Sequence, residues 1–235
     1  NTKELKTLFS PLTVGSLQLS HRMVKSAAGS ATYLAGLTDE LLQYYVNFAK
    51  GGVEMIYVEG IAALEIPADG SGYDAETLAF GQKLVAECAK YGASLGYQWA
   101  QFGAGENEMS VEQIQAIEDR GAQIAKGMQQ LGFKAFEINA AGFNMGEHFL
   151  SRFYNVRTDE YGCTSLENRA RFVTECITKI KEACGSDFPV QILINGIEEN
   201  DIYKKAEKVA DAVLKDLYLP EYEKMQLTEK MAYAP

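Results

Sequence analysis

Short apolar runs alternate along this chain with longer segments in which hydrophobic positions recur every three or four residues. The short runs predict strands at 23–26, 55–59, 96–101, 135–139 and 190–195, each bounded by small or polar residues. Between them the helical period predicts helices near 38–50, 75–91, 110–131, 165–184 and 203–217. The third is the clearest, because Ile114, Ile117, Ile124, Met128 and Leu131 fall on one face. Ser110 followed by Gln113 reads as a capping box at its start, and Gly132 is placed to end it. Thr164 with Glu167 reads as a second box, and Gly51-Gly52 as the stop of the first helix. Tyr44, Tyr45 and Phe48 read as core packing on that first helix.

Strands that alternate with helices predict an α/β architecture with a parallel sheet. No internal repeat and no low-complexity linker interrupts the pattern, so a single domain across residues 1–235 is expected. About five strand–helix units are evident, whereas a closed eight-unit barrel typically needs ~250 residues.

Composition narrows the partners. The chain has 235 residues, 47% hydrophobic and 23% charged, enough apolar content to bury a core. A formal net charge of −10 and a pI near 4.8 argue against nucleic acid or an anionic membrane surface and favour a small molecule or another protein. No apolar run approaches the ~20 residues that span a bilayer, and the N-terminus lacks the form of a secretory signal, so a cytoplasmic location is expected. Cys88, Cys163, Cys176 and Cys184 show no CxxC spacing and no nearby histidine pair, so they read as free thiols with no metal site among them.

In parallel α/β folds ligands sit at the carboxyl ends of the strands. The residues there are Ser26-Ala27-Ala28-Gly29, Glu59-Gly60, Gln101-Phe102-Gly103, Asn139-Ala140-Ala141 and Asn195-Gly196, nearly all small or amide-bearing. Small residues let a flat heteroaromatic ring such as a flavin lie against backbone, and amides can bond in its plane; they equally suit tight strand–helix turns. AAGSATYLAG matches neither a dinucleotide fingerprint nor a Walker loop. Arg152, Arg157, Asp159 and Tyr161 read as a pinned turn, and His148 as an exposed loop histidine.

The stretches LFSPLTVGSLQLSHRMVKSA, YYVNFAKGGVEMIYVEG, YQWAQFG and FLSRFYNVRTDEYGCTSLENRARFVTE occur in this order. Together they resemble the old yellow enzyme family of FMN-dependent NAD(P)H oxidoreductases, and more closely its 2,4-dienoyl-CoA reductase-like branch. RTDEYG followed by SLENRARF carries most of the specificity, and the match covers roughly residues 8–196. The resemblance implies a (β/α)8 TIM-barrel type of fold. It also implies FMN as cofactor, NADH or NADPH as reductant, and a small unsaturated carbonyl or thioester as substrate. An iron–sulfur cluster or FAD would belong only to a longer parent chain.

By the same resemblance, Ser26, Ala27, Ala28, Gly29 and Gly60 line the flavin, and Gln101 bonds its pyrimidine edge. Four positions depart from the family pattern. Asn139, Gly142 and Asn144 stand where relatives carry His, His or Asn, and Tyr, which makes Asn139 and Asn144 the candidate catalytic contacts. An amide can hold an oxyanion but cannot deliver a proton at neutral pH. Leu193 stands where relatives often carry an Arg against the flavin, with Lys25 as the candidate substitute. The stretch after Asn200 does not resemble the last three strands of the family. These departures keep a second reading open, a non-catalytic or accessory barrel fragment that pairs with another chain or with a second copy. An aldolase-like barrel is a weaker third reading, since Lys25 alone could form a Schiff base.

Overall fold

The computed structural model describes residues 5–103 and 105–196. The expected helix at 203–217 and the C-terminal stretch lie outside the described residues. The chain starts with an antiparallel hairpin, β1 (Leu12–Val14) and β2 (Leu17–Leu19). Five parallel strands follow in chain order, β3 (Val24–Lys25), β4 (Met55–Val58), β5 (Ser94–Trp99), β6 (Ala135–Ala140) and β7 (Val190–Ile194). They are joined by α1 (Asp39–Lys50), α2 (Ala75–Ala89), α3 (Val111–Leu131), the short α4 (Met145–Leu150) and α5 (Leu166–Cys184). Residues up to Ile194 form one compact unit.

The helices form where the sequence places caps. Thr38 and Asp74 accept the N–H groups of Leu41 and Thr77 at the starts of α1 and α2. Ser110 and Gln113 make both halves of the capping box on α3, and Gly132 ends that helix at φ 101°, where a side chain would be strained. On α5 the cap is Ser165, which accepts Asn168 N–H, one residue later than the expected box at Thr164.

Alternation along each strand divides its residues between two environments. Ile56 and Val58 of β4, Leu95, Tyr97 and Trp99 of β5, and Phe136, Ile138 and Ala140 of β6 pack in the main core with Leu41, Tyr45, Leu84, Ile124, Met128, Phe172 and Ile180 of the helices. Met55, Tyr57 and Ala135 face the other way and pack with Leu17 and Leu19 of the hairpin. The hairpin therefore closes the amino end of a lumen bounded by the sheet. Ser16 N–H, in its turn, donates to the Asp187 carbonyl at 3.0 Å, which ties it to the approach to β7. Gly96 is required by this packing, because a Cβ there would lie 2.5 Å from the Tyr57 ring.

Candidate functional site

At the carboxyl end of the lumen the inward-facing positions become polar, although the strands there are buried. Glu137 is fully buried, Gln98 is 7% exposed, and Asn139 is half-buried beside them. Gln98 Nε2 donates to Glu137 Oε1, and Gln191 Nε2 donates to Glu137 Oε2. Asn139 Nδ2 donates to Gln98 Oε1 at 3.3 Å, and Asn139 Oδ1 accepts Ala141 N–H at 3.0 Å. Three adjacent strands, β5, β6 and β7, thus share one hydrogen-bonded row. Burial pushes the Glu137 carboxyl above its usual range, against the pull of the two amides. Tyr57 beneath it is likewise raised, by burial first and by the nearby Glu137 charge second.

Gln98, Glu137 and Gln191 were not singled out by the sequence reading, which placed the site amide at Gln101. Strand β5 ends at Trp99, and Gln101 lies beyond it, half-buried, with its carbonyl accepting Met145 N–H at 2.6 Å. The signal was present in the alternation: Gly96 and Gln98 share one face, and Leu95, Tyr97 and Trp99 share the other. Leu193 follows Gln191 on the same face of β7 and pairs in register with Asn139, so an apolar side chain stands at that place.

The small residues after β3 lie where expected. Ala27 is half-buried against the lumen cluster, while Ser26, Ala28 and Gly29 are exposed. Gly60 brings the end of β4 close to β5, with Gln98 O 3.4 Å from where its Cβ would stand. Glu59, before it, is buried and accepts from Ser30 N at 2.7 Å, from Ser30 Oγ at 2.5 Å and from Tyr45 Oη at 3.3 Å, which pins the β3 loop to β4.

Lys25 lies elsewhere. Its Nζ is 5.3–5.6 Å from the ring centroids of Tyr44, Tyr45 and Phe48 on α1, between sheet and helix. Burial among those rings lowers its pKa, with the Glu59 charge opposing. A lysine held among those rings does not reach the lumen beside Leu193, contrary to what the resemblance implies for Lys25.

Asn144 also differs from expectation. It is 2% exposed at the N-cap of α4, and its Nδ2 donates to Ala141 O at 2.7 Å and to Gly142 O at 3.4 Å. Both N–H groups close the turn, so none is left for a substrate oxygen. Phe143, before it, holds φ +67° with its N–H donated to the Glu147 carboxylate. His148 is on α4 rather than in an open loop. Its Nδ1 lies 2.6 Å from Glu106 Oε1, its ring stacks on Tyr154 at 4.3 Å, and only 13% of its side chain is exposed.

The RTDEYG segment is a clamp. The Arg157 guanidinium pairs with Asp159 and donates Nη1 to Glu106 O and Met109 O, each at 2.7 Å, binding the β5–α3 loop to the loop after α4. Asn155 supports it by donating to Phe149 O at 2.9 Å and Tyr161 O at 2.7 Å.

A curved row of parallel strands with helices outside, a plugged amino end and a polar carboxyl end defines part of a β/α barrel with a ligand face. The chain belongs to the NADH:flavin oxidoreductase / NADH oxidase family, whose profile matches residues 70–234. A metal reductase of Desulforamulus reducens is 30% identical over 82% of this chain and 33% of its own length. A cinnamate reductase of Clostridium sporogenes is 26% identical over 80% of this chain and 34% of its own length. An NADPH dehydrogenase of Bacillus subtilis is 28% identical over 88% of this chain and 68% of its own. The chain thus spans about a third of the length of the first two. Among solved structures, 2-naphthoyl-CoA reductase with 2-naphthoyl-CoA superposes with a TM-score of 0.65 at 24% identity, covering 79% of this chain and 35% of that one. Old Yellow Enzyme from a Pichia species gives 0.62 at 23% identity, covering 88% and 68%. Both have the barrel of which the five strands here form a part.

Proposed function

We propose that this chain carries the ring end of an FMN site. In this reading it serves the transfer of hydride from NADH or NADPH to an activated alkene, an unsaturated carbonyl or thioester. The observation that carries the reading is the pair of lumen amides, Gln98 and Asn139, at the carboxyl ends of adjacent strands. Each NH2 has two hydrogens and spends one within the row, so each keeps one N–H for a ligand. Such donors suit the carbonyl-bearing edge of a flavin, and Ala27, Ala28 and Gly60 keep the neighbouring strand ends small. The described residues therefore fit the ring of FMN.

Bound there, FMN would supply the two-electron step, taking hydride from a nicotinamide and giving it to the β-carbon of the alkene. The tasks of this chain are to seat the ring with Gln98 and to hold the substrate oxygen with Asn139. The proton comes from solvent or from a group outside this pair, since neither amide titrates near neutral pH. Relatives with the names cinnamate reductase and NADPH dehydrogenase support the same chemistry here. Four free thiols suit a cytoplasmic setting, and no helix among the described residues is long and apolar enough to cross a membrane.

The test is to add FMN to the purified chain and follow oxidation of NADH or NADPH with cinnamate or a cyclic enone. Substituting Asn139 by Ala should slow alkene reduction by roughly 100-fold, the usual loss on removing one oxyanion donor. An unchanged rate would take Asn139 out of the mechanism.

A second reading, a non-catalytic segment that works beside another chain, is favoured by Leu193 in the lumen and by the commitment of Asn144 to its turn. Failure to bind FMN, together with a dimer or larger species in sedimentation, would decide for it.

A further inference from the structure

The buried row has a direction, and the direction can be read without knowing which end of any amide is nitrogen. A backbone N–H only donates, so Ala141 N–H obliges Asn139 to present Oδ1 to it. Asn139 must then turn Nδ2 toward Gln98, which receives it with Oε1 at 3.3 Å. Gln98 is left with Nε2 toward Glu137 and needs an acceptor there. Glu137 is that acceptor, and Gln191 occupies its second oxygen as a donor from β7.

We infer that Glu137 is a positioning residue that holds Gln98 and Asn139 with their spare N–H groups available, making the strand-end face a donor surface for acceptor-rich ligand edges. This inference rests on the flavin reading above for the identity of the ligand, but the polarity of the row stands on the geometry alone. Without an acceptor at position 137, Gln98 Nε2 is left buried without its partner, so the amide is no longer fixed against Asn139 and the spare N–H groups lose their placement. A glutamine at 137 preserves the acceptor, because Gln191 can rotate to receive its NH2. A methionine fills the same space without one.

The test uses the full chain. FMN affinity is measured by quenching of flavin fluorescence for the wild type, Glu137→Gln, Glu137→Met, Gln98→Ala and the double variant Gln98→Ala/Glu137→Met. Glu137→Gln is expected to stay within about threefold of wild type and Glu137→Met to weaken binding by about tenfold or more, a loss that disappears in the Gln98→Ala background. Equal losses in Glu137→Gln and Glu137→Met, or a loss that persists without Gln98, would overturn the inference.

A second measurement needs neither FMN nor a folded variant. In the 15N spectrum of the wild-type chain the Gln98 side-chain NH2 should exchange with solvent far more slowly than surface amides. Rapid exchange there overturns the inference. A protected Gln98 in a chain that ignores FMN upholds the positioning role and rejects the flavin reading instead.

Discussion

Asn139, Asn144 and Asn155 are three asparagines within seventeen residues, and their surroundings give them three different tasks. Asn139 keeps a spare N–H, Asn144 spends both on the turn before α4, and Asn155 spends both on the carbonyls of Phe149 and Tyr161. Asn155 also accepts Arg157 N–H at 3.1 Å and is 1% exposed. Asn155→Ala should therefore cost roughly 2–4 kcal/mol, since it orphans two buried carbonyls and an N–H. A urea titration of the purified chain measures it. Gly96→Ala should cost about 1–3 kcal/mol through overpacking, because the new methyl would press on Tyr57 and on Met55. At this scale the sequence was only partly legible. Residue type alone identifies an amide, but its availability depends on partners that arrive from other strands and turns.

Among the elements, the four helices α1, α2, α3 and α5 and the five parallel strands were legible because each carries a strong local pattern, a cap or an apolar run. The β1–β2 hairpin was not, since strands of three residues show too little alternation to register. The six-residue α4 escaped because Gly146 and His148 break any clear apolar face and its N-cap makes no side-chain bond. The expectation that β5 reaches Gln101 has the same origin. Taking β5 to run to residue 101 drew attention to its last amide, whereas the period of two puts Gln98 inward and Trp99 against the helices. RTDEYG was legible as a turn, and the structure adds what it joins. Arg157 is 6% exposed at its side chain and reaches three carbonyls of the β5–α3 loop, those of Glu106, Asn107 and Met109. Arg157→Ala should cost roughly 2–4 kcal/mol, mainly because the carbonyls of the β5–α3 loop lose their donor while the half-exposed Asp159 returns to solvent. Hydrogen exchange should then rise in residues 106–109 more than in α3, and equal protection in both would contradict the clamp.

Across the compact unit, buried acids set the response to pH. Glu65, Glu118 and Glu137 all have carboxyls raised above 4.5, in each case by burial first. A raised acid stays protonated in the fold while it ionises in the unfolded chain. Its contribution is complete below 4.5 and is lost as pH climbs through the raised value. Asp159 runs the other way. The Arg157 hydrogen bond holds it below 3.8, so its contribution exists above that pH and fades on further acidification. Stability should accordingly peak in mildly acid solution and decline toward neutrality, and Glu65→Gln should flatten the decline. Urea midpoints across pH 4–8 test this, and a midpoint that climbs steadily to neutral pH would refute it. The Ser16 to Asp187 bond has a consequence for biosynthesis. The hairpin leaves the ribosome well before Asp187 does, so its anchor is made only near the end of this unit. Until Asp187 emerges, Leu17 and Leu19 have no seal to complete, and the nascent lumen stays open to water and to chaperones.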